Sequence, residues 1–285
     1  MPTVTFRAGR FAGGFSMSLA EMKAMEFFPS TGAPPVGAKV GFRFGAKGTH
    51  SSRTLMLAEL EAVLAAAPSG ADRDGYAKAI IEDNCLEKPT AATRRLSNQR
   101  LAELYALDPF VVMFRVLRGL WGIEPEARPL LALLVAVARD PLLMASAAPV
   151  LSQPVGSEIQ RAPIRQALRT LVGERMNDAT VDKVVRNVSS TWTQTGHLEG
   201  RTFKIRRRVQ APPTAVAFAL WLGEAAGFRG EALLQSGWMA VLDCTASSAK
   251  GLALEAKRHG LIDMSIAGDV VEFVLERLDP GLGKI

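Results

Sequence analysis

Cysteine, histidine and tyrosine are scarce in this chain, with two, three and two among 285 residues. Cys85 and Cys244 are far apart, and neither has a Cys or His at metal-ligand spacing. That excludes a disulfide framework and a finger-type zinc site, and it points to a reducing, cytoplasmic setting. His50, His197 and His259 are isolated from one another and from any HExxH-like grouping, so no metal and no cofactor is expected.

Long apolar runs are missing as well. The first residues, Met1 to Arg7, lack the continuous apolar stretch of a secretory signal. The most apolar segment, Leu130 to Leu151, is broken by Arg139, Asp140 and Pro141. It falls short of the roughly 18 to 20 uninterrupted residues a membrane span needs, and it reads as two buried core helices with no membrane partner.

Catalytic signatures are absent too. Gly41, Gly45 and Lys47 do not follow the order of a phosphate loop, and there is no Gly-x-Ser-x-Gly elbow or dinucleotide fingerprint. Asp243 with Glu255-Ala256-Lys257 imitates a magnesium-nuclease constellation. On a helix, however, Glu255 and Lys257 point about 200° apart and cannot converge on one ion. A non-enzymatic protein is expected.

What the chain does have is an uneven charge. The formal total is +6, yet residues 157–208 alone carry eleven Lys and Arg against five Asp and Glu, and residues 209–285 are net negative. Residues 1–52 are also basic. A concentrated positive block of this kind suits a polyanionic partner.

The fold class expected is mainly α: a helical N-terminal domain with winged-helix units, each a helix-turn-helix plus β-hairpin, in the middle and at the C-terminus. The boundaries read as an irregular Gly/Pro-rich leader over 1–50, a helical domain over 51–150, a basic winged-helix-like unit over 157–210 and a C-terminal unit over 213–285. Lys39 to Phe44 is a short extended piece within the leader, and Val150 to Gly156, with Pro154 and little periodicity, is the candidate linker. Met56, Leu60, Val63 and Leu64 open the helical domain at helical spacing.

In the basic unit, Pro163 to Val172 predicts one helix. Asn177 or Asp178 caps a second, whose Val181, Val184, Val185, Val188 and Trp192 share a face up to Gly196. The opposite strip aligns Lys183, Arg186, Asn187, Ser190 and Gln194. Cations there can meet phosphates or guanine, and the amides can pair with adenine in a major groove. After Gly196, a turn at Glu199-Gly200 leads to a strand in which Phe203, Ile205, Arg207 and Val209 alternate with Lys204, Arg206 and Arg208. With Arg201, these make the expected phosphate contacts of a wing. A merely solvated face is the plain alternative. The lack of an aromatic platform favours duplex DNA over RNA.

The same grammar returns near the end: a helix over Leu233 to Leu242, a cap at Thr245 or Ser247, inward Ala249, Leu252, Ala253 and Ala256, and a hairpin around Gly268-Asp269. Net negative charge there suits a protein contact better than DNA.

The most distinctive text is Ile80-Ile81-Glu82-Asp83-Asn84-Cys85-Leu86-Glu87-Lys88-Pro89-Thr90, followed by Thr93-Arg94-Arg95-Leu96 and Arg100-Leu101. It resembles BrxA, the small DNA-binding component of BREX phage-defence systems, over roughly residues 47–120 and more loosely over 171–198. The glycine-rich leader and the chain length depart from that pattern. The resemblance implies a helical protein with small winged-helix elements that binds double-stranded DNA beside other phage-defence system proteins, with Arg94, Arg95 and Arg100 on the family's basic helix. Salt bridges from these arginines to Glu82, Glu87 or Glu103 are the alternative role. An accessory DNA-binding protein of such a system is the leading expectation. A protein-interaction scaffold and an RNA-binding antitermination-like factor stand beside it, and a homo-oligomer is left open.

Overall fold

The computed structural model describes residues 25–30, 40–268 and 270–279. Among these, the first helical group comprises α1 (Leu57–Ala66), α2 (Arg73–Ile81), α3 (Ala91–Tyr105), α4 (Val112–Leu120), α5 (Arg128–Arg139) and α6 (Pro141–Leu151). Then come α7 (Arg161–Val172), α8 (Asp178–Gln194) and an antiparallel hairpin of β1 (Leu198–Glu199) and β2 (Ile205–Arg206). The chain continues through α9 (Pro213–Ala225), α10 (Gly237–Ala240) and α11 (Ala246–Arg258) to a second hairpin, β3 (Asp263–Ala267) and β4 (Val270–Val274). The protein is therefore mainly helical, with two small antiparallel sheets.

Two helices are apolar on every side, and they organise the rest. All residues of α5 from Leu130 to Ala138 are buried, as are those of α9 from Thr214 to Gly223. A helix without a polar face must be surrounded, and α3, α4, α6 and α9 all pack on α5. Between α5 and α6 the chain turns by 118°, so no single helix among the described residues is long and apolar enough to cross a membrane. The turn is written in Asp140-Pro141. Proline takes the first position of α6, where its missing N–H costs nothing, and the Asp140 carboxylate accepts from Leu142 N (3.0 Å) and Leu143 N (3.3 Å).

Asp140 has a second task. Its Oδ2 accepts from His50 N (2.9 Å) and His50 Nδ1 (2.8 Å), and His50 Nε2 lies 2.8 Å from Thr191 Oγ1 of α8, all three residues being buried. Burial alone would raise the Asp140 pKa, but the attraction and hydrogen bonds of His50 bring it below the ordinary carboxylate value. A carboxylate can only accept, so the proton of His50 sits on Nδ1. The turn at Thr49–Ser51 thus joins α5–α6 to α8. Gly48 permits the approach, because a Cβ there would stand 1.9 Å from Asp140 Oδ1.

Two boundary expectations are corrected. Of residues 1–50, the described stretch 40–44 forms no strand, and the described pieces belong to the core: Phe27 and Phe42 are buried. Phe27 O accepts from Trp238 Nε1 at 2.8 Å, Gly237 N donates to Glu26 O at 2.7 Å, and Phe28 packs edge-on against Phe42 and Trp238. Residues 1–24, 31–39, 280–285 and the tip residue Asp269 lie outside the described residues.

The candidate linker is also no linker. Helix α6 runs to Leu151, and the following segment lies against β2, with Gly156 N donating to Arg206 O (2.8 Å), Arg206 N to Ser157 O (2.9 Å) and Ile159 N to Lys204 O (2.8 Å). Pairing through the backbone leaves no periodic side-chain signature, which is why the stretch read as loose. One hydrophobic cluster extends from Phe27 to Leu278, and the units share it.

The second half uses one order of elements twice. Helix α6, the extended 156–159 segment, α7, α8 and the β1–β2 hairpin are followed by α9, the turn Gly230–Leu233 beside β4, α10, α11 and the β3–β4 hairpin. The expected helix over 233–242 is instead a turn plus the short α10, interrupted at Ser236, whose hydroxyl accepts from Met239 N (3.5 Å). Thr245, not Ser247, caps α11, in a reciprocal box with Ser248.

Candidate nucleic-acid interface

Helix α8 starts where Asn177 Oδ1 accepts from Thr180 N (2.8 Å), and its apolar face is buried as the valine spacing requires. Trp192 is fully buried, donates to Ser146 Oγ of α6 (2.8 Å) and meets the His197 ring edge-on. Helix α7 is clamped to the start of α8 by Arg165 on Asp182 and Asp178 (2.9 and 2.8 Å) and by Arg169 on Asp178.

The opposite strip of α8 divides into two parts. Asn187 Nδ2 donates to His50 O (2.8 Å) and Gln194 Nε2 to Thr54 Oγ1 (3.1 Å), so these amides hold the chain segment that crosses the helix. Their assignment as base readers is corrected for Asn187, whose amide has its partner inside the protein. Arg186 and Ser190, joined by Thr193, face instead a cleft of about 500 Å³ between α8 and the first hairpin.

That cleft is lined by Arg161, Arg186, Arg201 and Lys204 together with Ser189, Ser190, Thr193, Gln194 and Gly200, and no carboxylate lines it. Lys204 Nζ donates to Thr193 Oγ1 (2.7 Å) and Gly200 O (3.2 Å), which bridges hairpin and helix. Burial, and then repulsion from Arg161, push the Lys204 pKa below its ordinary value. An anion entering between the two cations would relieve that repulsion. Among the described residues, the side chains of Lys183, Arg186, Arg201 and Arg208 make no hydrogen bond or ion pair.

The remaining candidates are scattered. Arg206, read as an outward cation of the strand, is 1% exposed; its guanidinium pairs with Asp243 (Nη1–Oδ2 3.1 Å, with a second bond from Nη2) and reaches His197 O (3.3 Å). It is a structural ion pair: Arg206 stands opposite the buried Leu198 of β1, and the face expected to be outward is covered by the loop that carries Asp243. Arg207 is exposed but bonded to Glu199 across the hairpin (2.5 Å). Arg100 pairs with Glu103 (2.7 Å), which also accepts from Thr49 Oγ1 (2.8 Å). Arg95 is exposed, and Arg94 is half-buried. Nothing groups these three with the cleft.

Arg161 and Thr193 are the residues the sequence reading missed. Arg161 lies in the basic 157–208 block but precedes the predicted helix, so no face could be assigned to it. In the structure it begins α7, and its Nη2 donates to Thr202 O of the hairpin (3.3 Å). Among the described residues no three His, Cys, Asp or Glu side chains gather to hold a metal. No family model matches the chain, and no curated protein matches it at a significant level.

Proposed function

We propose that this chain is a non-enzymatic duplex-DNA-binding protein whose contact surface is the cleft between α8 and the β1–β2 hairpin. Support comes from the order helix, strand-like rail, helix, helix, hairpin, which is compatible with a winged helix, where the third helix enters the major groove and the hairpin flanks it. The observation that carries the reading is the set of four cations, Arg161, Arg186, Arg201 and Lys204, on one carboxylate-free concave surface. A phosphate backbone is matched by spaced cations with hydroxyl donors between them, here Ser190 and Thr193. Lys183, one turn before Arg186 on the same exposed strip of α8, extends the positive surface along the helix.

With Arg186 on phosphate, base reading in this proposal falls to Ser190 and the exposed part of Gln194, a short list that suits shape and backbone recognition more than a strict sequence. A role beside other phage-defence system proteins rests on the resemblance of residues 80–101 alone. Fluorescence-polarisation binding of a random duplex tests the reading: Arg186→Ala combined with Arg201→Ala is expected to weaken binding about 10- to 100-fold at unchanged thermal stability.

The C-terminal unit favours a protein partner. Its hairpin leaves Val270 and Val274 exposed on one face and Ile266 on the other. Apolar side chains grouped on one hairpin are a protein-contact feature.

A further inference from the structure

The tip of the first hairpin carries an aromatic side chain that the fold does not use. Phe203 is 69% exposed, while Ile205, two residues on, is half-buried against the protein. The alternation that should have turned both inward fails because only Ile205–Arg206 are in register with β1, which leaves residues 200–204 as a turn. That turn is shaped by its glycine and by two side-chain bonds. Gly200 has φ +105°, and a Cβ there would stand 2.1 Å from Phe203 O; Arg161 holds Thr202 O, and Lys204 holds Gly200 O. The cations anchor the tip through its backbone, and the largely exposed Phe203 ring borders a second, smaller cleft together with Arg161, Lys204 and Glu158, next to the one that Arg201 lines.

An exposed ring is ordinarily covered by an apolar protein surface, but such a partner would have to desolvate Arg161, Arg201 and Lys204 without neutralising them. Duplex DNA satisfies both demands, since its phosphates match the cations and its base stack opens at flexible steps to admit an apolar side chain. On the DNA-binding reading above, we propose that Phe203 is a wedge: the hairpin enters the minor groove next to the α8 contact, the ring partly unstacks one base step, and the duplex bends. Arg201 and Arg161 then neutralise the phosphates that the bend draws together.

The test uses the full-length protein with a duplex bearing a donor–acceptor pair at its ends and 2-aminopurine at a central TA step, read at saturation. The wild type is expected to raise energy transfer and 2-aminopurine emission. Phe203→Ala should lose most of both signals, with affinity reduced only about tenfold and melting temperature unchanged, and Phe203→Trp should keep them. Equal bending by the wild type and Phe203→Ala overturns the wedge, as does tight binding by the wild type with neither signal. Those outcomes leave the DNA-binding reading intact; failure of the wild type to bind the duplex at all overturns both.

Discussion

Arg206 and Asp243 form a buried ion pair that fixes the first hairpin to the loop between α10 and α11. Asp243 Oδ2 also accepts from Val209 N (3.0 Å), and His197 Nε2 lies 2.8 Å from Val241 O, so four bonds converge on the same joint. The hairpin is therefore held at a set angle to α8 by the C-terminal unit, and the cleft owes its shape to a contact 37 residues away in sequence.

Removing one partner of a buried pair leaves the other charge uncompensated, at about 3 to 5 kcal/mol. Arg206→Ala and Asp243→Asn are accordingly expected to lower stability by that amount in urea unfolding. Arg208→Ala, one exposed residue away in the same basic run, is expected to leave stability within about 0.5 kcal/mol. Equal stability of Arg206→Ala and the wild type would remove the pair from the joint.

His197 gives a pH prediction. Burial lowers its pKa to about 4, with Nε2–H donated to Val241 O and Nδ1 facing Thr195 Oγ1 (2.9 Å). The unfolded chain, with a histidine pKa near 6.5, takes up the proton first as pH falls. The contribution is thus complete above about pH 6.5 and is lost as pH drops toward about 4. A shift of that size amounts to about 3 kcal/mol. The stability difference between wild type and His197→Gln should shrink across this window, and a constant difference would contradict the assignment.

Gly48 is constrained by space, its backbone lying in the extended region. Gly48→Ala places a methyl group against the Asp140 carboxylate and is expected to cost about 1 to 3 kcal/mol in denaturant unfolding, as overpacking does. Because the 48–54 segment also occupies Asn187 and Gln194, backbone amides of 49–54 should lose hydrogen-exchange protection in this variant. Unchanged protection would separate the turn from α8.

Much of the helical frame was legible because its signals are local. Asp140-Pro141 ends one apolar helix and starts another, Asn177 caps α8, and Gly196 and Gly200, both at positive φ, mark the ends of the turn region. The valine and tryptophan spacing located the inward face of α8. The site was legible in composition but not in geometry. Arg206, Arg207 and Arg208 are adjacent and chemically alike, yet one pairs with Asp243, one with Glu199 and one has no partner among the described residues. Their different fates are decided by residues up to 37 positions distant. Asn187 is engaged by His50 from 137 residues away, and the 156–159 rail pairs through main-chain atoms that carry no residue-specific signal.

The most direct test of the cleft as a phosphate site is the salt dependence of binding to random-sequence duplex. With four lining cations and Lys183 one turn before Arg186 on the same strip, log K should fall against log [salt] with a slope of about −4 to −5. Arg186→Ala and Arg201→Ala should each reduce that slope by about one. Binding that is flat in salt, or slopes unaltered by both substitutions, would contradict the account.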